Sequence, residues 1–71
     1  MNFNIRNAVK ENFKSASPSS LINDINESIN SKEENILPGL GVMFEVLWNS
    51  CDNEEKLMLA NNICKNINNG L

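Results

Sequence analysis

Chemistry needs side chains that move protons, attack, or grip a charged ligand, and this chain offers few of them. Its 71 residues contain neither His nor Tyr, which removes the commonest general base and the phenol acid from any catalytic scheme. Cys51 and Cys64 are the candidate nucleophiles, but without histidine their activating base would have to be Lys or a carboxylate. Two thiols and no histidine cannot complete a structural zinc tetrahedron within one chain, so neither a metal nor another cofactor is expected. The doublets Glu33-Glu34 and Glu54-Glu55 are adjacent residues, which on a helix point in different directions and form no acid/base couple. Gly39-Leu40-Gly41 falls where a helix should start, and helix N-termini bind phosphate. Yet no strand precedes it, and it lacks both the third glycine of a dinucleotide fingerprint and a Lys-Ser/Thr pair. The structural reading of Gly41 is that it lets a neighbour approach closely. No catalytic arrangement emerges, and the chain reads as a protein without enzymatic activity or an evident small-molecule substrate.

One charge pattern supports a binding hypothesis. Arg6, Lys10 and Lys14 recur every four residues and line one edge of the first helix. With Glu11 they give residues 1–17 a net charge of +2, while three cations and eight acids give residues 18–71 a net of −5. The stripe could touch nucleic-acid phosphates with weak, steeply salt-sensitive affinity. The overall charge of −3 opposes DNA, so a solvated edge, or one facing the acidic remainder of the fold, is the favoured reading.

The elements positioning these groups read as helices throughout. No run alternates with period two, and apolar residues recur at three and four. Helix one is expected over about Phe3 to Ala16, with Ile5, Ala8, Val9, Phe13 and Ala16 on one face. Ser17 and Pro18, a capping hydroxyl and a residue pre-set for helix, start helix two, which runs to about Ser31. Its stripe is Leu21, Ile22, Ile25 and Ile29. A connector follows in which Ser31 and Glu34 fit a capping box, and Pro38 should disfavour helical geometry at Leu37. Helix three, about Pro38 to Ser50, places Leu40, Met43, Phe44, Leu47, Trp48 and Cys51 on one face, extended by Val42 and Val46. A helix this apolar must be wrapped by its neighbours. Asp52 and Glu55 form a second capping box that opens helix four. Its inner face would be Leu57, Ala60, Ile63, Cys64 and Ile67, Met58 and Leu59 would point away, and Gly70 would end it.

These elements make an all-α fold, a compact bundle of four short helices with the third central, in one domain spanning 1–71. At 8.0 kDa such a chain should bury only about 60% of its unfolded surface, which leaves little margin. Phe3, Met58 and Leu59 have no evident place inside, and a homodimer would cover them. No apolar run reaches the ~20 residues of a membrane span, and no secretory leader is visible. The chain is therefore expected to be soluble and intracellular, with reduced cysteines acting as small core hydrophobes. In that picture Gly41→Leu should disrupt the central helix, and Trp48→Ala should cost about 3–5 kcal/mol.

The run Asn35-Ile36-Leu37-Pro38-Gly39-Leu40-Gly41-Val42-Met43-Phe44-Glu45-Val46-Leu47-Trp48 closely resembles the central signature of the I-type small acid-soluble spore proteins. Asn4-Ile5-Arg6-Asn7-Ala8-Val9 resembles that family's start, and Glu55-Lys56 lies about where its last helix begins. The signature positions are Leu37, Pro38, Gly39, Leu40, Gly41, Phe44, Glu45 and Trp48. The departures are Cys51, Cys64 and a last helix rich in asparagine, of which the chain has fifteen and which would suit a clostridial source. The resemblance implies synthesis in the forespore and residence in the spore core, cytoplasmic in origin, with no catalytic or binding residues to carry over. Partners would be other spore proteins. The DNA-coating role of the α/β-type spore proteins does not transfer, because their glycine-containing motifs are not present. A passive amino-acid reserve, degraded at germination, is a further reading that the asparagine content would suit.

Overall fold

In a computed structural model of the chain, which describes residues 4–70, four α-helices and one 3-10 turn follow one another. They are α1 (Ile5–Phe13), α2 (Pro18–Ser31), the turn Glu34–Ile36, α3 (Leu37–Ser50) and α4 (Asn53–Gly70). There is no strand among the described residues. The all-α bundle read from the apolar spacing is therefore the fold observed, with α3 at its centre. Phe3, placed by the sequence at the start of helix one and on the open surface, lies outside the described residues.

Short polar residues set most of the boundaries. Asn4 and Ser17 accept hydrogen bonds from Asn7 N–H and Ser20 N–H and so cap α1 and α2. Asp52 and Glu55 bond each other's backbone N–H reciprocally at 2.8 and 2.9 Å, the capping box expected at the head of α4. The other expected box does not form. Ser31 closes α2, its hydroxyl donating to Ser28 O and accepting from Glu33 N–H, while Lys32 turns left-handed at φ 56°. Leu37 is helical despite preceding Pro38, because the 3-10 turn runs straight into α3. Pro38 then sits in the first turn, where its missing N–H costs nothing. Helix α1 stops at Phe13, three residues before the expected end, since the chain must reverse to reach the extended Ser17. Gly70 remains within α4, and no described glycine has positive φ.

Packing gathers around one side chain. Val42 is 6% exposed and is the one buried residue among those described. Ala8, Val9 and Phe13 of α1, Leu21, Ile25 and Ser28 of α2, and Gly39 and Met43 of α3 are half-buried. Val9, Phe13, Leu21, Val42 and Met43 line a common apolar depression. The core therefore lies between α1, α2 and the Val42 side of α3.

The opposite side of α3 is less covered than its sequence suggests. Leu37, Phe44 and Leu47 are exposed, and only Leu40, Trp48 and Cys51 on that stripe are half-buried. Helix α4 is partly covered only near its start, at Lys56, Leu59 and Ala60, while residues 61–70 are exposed on every side. Leu57, Ile63, Cys64 and Ile67, expected inside, are exposed. Leu59, expected to point away, is half-buried, whereas Met58 is exposed as anticipated. The covered start of α4 lies by Trp48, whose ring is 5.4 Å from that of Phe44 with Lys56 Nζ 5.6 Å above it. This cation–π contact adds to the partly covered Leu59 and Ala60 at the start of α4. Both cysteines are free, and Cys64 is a surface residue, not a core one.

The accessible surface of 6180 Å² exceeds the roughly 4,450 Å² of a compact monomer of this mass, so burial reaches only about half of the unfolded surface. Gly41 is on the exposed side of α3, and a Cβ there would meet nothing within 4 Å. The close approach expected at Gly41 does not occur. Gly39 is nearer a neighbour, with Val9 Cγ2 4.0 Å from its added Cβ, an ordinary contact.

Two stability changes follow. Gly41→Leu should leave the fold intact, and Gly41→Ala should raise stability by about 0.5–1 kcal/mol, by removing a mid-helix glycine. Trp48→Ala should cost about 1–3 kcal/mol rather than the larger figure for a buried ring, because Trp48 is half-buried. Denaturant midpoints check both.

Candidate functional site

The charged groups that the sequence singled out meet at the junction of α1 and α3. Arg6 stands in the first turn of α1, and Glu45 stands midway along α3. Docking the two helices over Val42 brings them together although they are 39 positions apart in the chain. The pair is a two-pronged fork: Arg6 Nε donates to Glu45 Oε1 at 2.7 Å, and a terminal guanidinium nitrogen donates to Oε2 at 2.8 Å. Such planar pairing is the strong geometry for arginine and carboxylate. Both side chains are well exposed, so the pair is open to water and salt. The Arg6 hydrogen bonds, with the charges of Arg6 and Lys10, hold the Glu45 carboxyl below its ordinary value, against some desolvation.

This arrangement alters the basic edge. Arg6 is engaged with Glu45, so of the three candidate phosphate contacts Lys10 and Lys14 are left as exposed cations on that edge. Lys14 is the residue that caps the C-terminal end of α1, where a positive charge also suits the helix dipole. The sequence treated Glu45 as part of a polar strip and missed its partner. A signal was present: Glu45 is the one charge on a helix otherwise apolar or neutral, and Arg6 is the first cation on a helix able to reach it.

The signature residues divide between the two sides of α3. Pro38, Gly41 and Glu45 border an open depression with Asn4, Ile5 and Arg6. Gly39 and Leu40 border a second depression against Ala8, Val9 and Phe13. Leu37, Phe44 and Trp48 belong to the opposite, largely uncovered stripe. The signature thus specifies how α1 seats on α3 and what α3 leaves outside. Among the described residues no cluster of His, Cys, Asp or Glu could hold a metal ion, and no helix is long and apolar enough to cross a membrane.

The ion pair predicts a definite pH and salt behaviour. A carboxyl whose folded pKa lies below its unfolded value contributes stability above that unfolded value, near 4.5, and loses it as pH falls through the folded value. Glu45→Gln should therefore lower the melting midpoint at neutral pH, and the difference should vanish in acid. The difference should also shrink as salt rises. Melting curves of both proteins across pH 2–7 and across ionic strength check this.

Comparison with known proteins matches residues 3–67 to the family model described as small, acid-soluble spore protein I. A curated relative bearing that name in Halalkalibacterium halodurans is 39% identical over 71 residues, covering 100% of this chain and 98% of its own length. One from Shouchella clausii is 41% identical over 68 residues, covering 96% and 99% respectively. A third, from Bacillus mycoides, is 48% identical over 56 residues, covering 79% and 81%. No solved structure matches the chain. The matched span takes in every residue of the α1–α3 junction and of the Trp48 contact with the start of α4, and the chain belongs to the small, acid-soluble spore protein I family.

Proposed function

We propose that the protein is a non-enzymatic component of the forespore and dormant spore core that acts through protein contacts. Family membership supports the setting. The mode of action rests on one observation: among the described residues a single buried side chain is set against eleven large apolar residues left exposed. Surfaces of that kind serve association. The absence of His and Tyr fits a role without acid/base chemistry. Accumulation in the dormant cell is compatible with the same surface, since association would protect an open fold.

The DNA reading loses support from the geometry, because Arg6 already has a carboxylate partner and two lysines offer few phosphate contacts.

Fractionation of a sporulating culture tests the setting. The chain should appear in the forespore after its engulfment and be recovered from the core of the spore, not from the coat or from vegetative cells. Recovery from vegetative cells would overturn it. A titration with duplex DNA at low salt, where phosphate contacts are strongest, should show no binding. Binding abolished by Lys10→Ala with Lys14→Ala would establish the DNA reading in its place.

A further inference from the structure

We infer that the uncovered stripes of α3 and α4 form a homodimer interface, in which the same two helices of a second copy complete the core. The argument begins with periodicity. Leu37, Leu40, Phe44, Leu47 and Cys51 share one side of α3, and Leu57, Ala60, Ile63, Cys64 and Ile67 share one side of α4. Both stripes have the i, i+3, i+4 spacing of faces made for burial. In the single chain neither is buried: Leu37 is 57% exposed, Leu57 63% and Ile67 53%. Leu40, Cys51 and Ala60 are half-buried, and among the described residues the rest of both stripes stays exposed because α1 occupies the other side of α3.

Area indicates how large the missing partner must be. The surface of 6180 Å² exceeds that of a compact monomer of this mass by about 1,700 Å². A standard interface removes about 800 Å² from each partner, and obligate homodimers remove more. One copy of the same face fits within that surplus and would raise the buried fraction from about 47% to about 54% of the unfolded surface.

Charge indicates what the partner is. Neither stripe contains an acidic group, and the cation that lies on the α4 stripe, Lys56 four residues before Ala60, is laid over the Trp48 ring. The face therefore does not select a partner of opposite charge. An uncharged apolar face is complementary to itself, as a two-fold interface requires. The other exposed apolar pair, Ile22 and Ile29 on α2, is small and is interrupted on its own face by Asn26. It does not offer a comparable area.

This inference rests on the reading that the protein works through protein contacts, and it fails separately from it. A protein that accumulates in the spore core but stays monomeric would overturn the dimer and leave the setting intact. Sedimentation equilibrium of the full chain, from low to several hundred micromolar, should give twice the 8.0 kDa chain mass. The melting midpoint should rise with concentration. Leu47→Glu on α3 and Ile67→Glu on α4 should each weaken dimerisation by about 100-fold or more, since a charge would be buried opposite its own copy. Ile22→Glu on α2 should leave the dimer unchanged. Ile67→Glu lies far from Val42, so its monomer should keep the parent's helical circular dichroism even if Leu47→Glu unfolds. A parent monomeric at several hundred micromolar would overturn the inference. So would an assembly that survives both stripe variants, or one that is lost with Ile22→Glu.

Discussion

The seating of α1 on one side of α3 is the constraint from which the rest of this structure follows. Val42 fills the contact, Val9 and Phe13 close it from α1, and the Arg6–Glu45 fork fixes its edge. Seating α1 there uses the narrower apolar side of α3 and turns the broader one outward. Helix α4 meets the rest of the fold at its start, where Lys56 lies over Trp48 and Leu59 and Ala60 are partly covered. The ion pair adds orientation more than energy, because exposed pairs contribute little. A two-pronged carboxylate contact nevertheless fixes the rotation of both helices in a way that apolar contact does not.

Much of this was legible in the amino-acid order because it is local. Ser17-Pro18 and the Asp52–Glu55 box mark helix starts through short-range hydrogen bonds, and the structure forms both. The period of the apolar residues sets the fold class for the same reason. What was not legible depends on which side of each helix finds a partner. Periodicity identifies the stripe Leu57, Ala60, Ile63, Cys64 and Ile67 correctly as a stripe but cannot say whether one chain supplies its cover. Gly41 shows the same limit. A glycine in a helix signals either a close neighbour or none, and here it has none. Leu37 shows another, since the bias against helix before proline gives way where a 3-10 turn already leads in.

The spore setting and the open surface are compatible in physical terms. A fold with a thin core gains from anything that binds its folded form, by simple mass action. High local concentration or a partner surface would both act in that direction. The family signature spans both sides of α3, including residues that face the core and residues that face out.

The separation of 39 positions between Arg6 and Glu45 also bears on events during synthesis. Helix α1 has nine residues, fewer than the ~12–15 at which an isolated helix becomes even marginal in water. Its partner is encoded more than half a chain downstream, so the first segment to leave the ribosome waits for α3 to emerge before it can hold a shape. Helix α2, capped at its start by Ser17 and longer at 14 residues, bridges that wait. The N-terminal segment, the first to be made, therefore gains its packing partner only once α3 has been made.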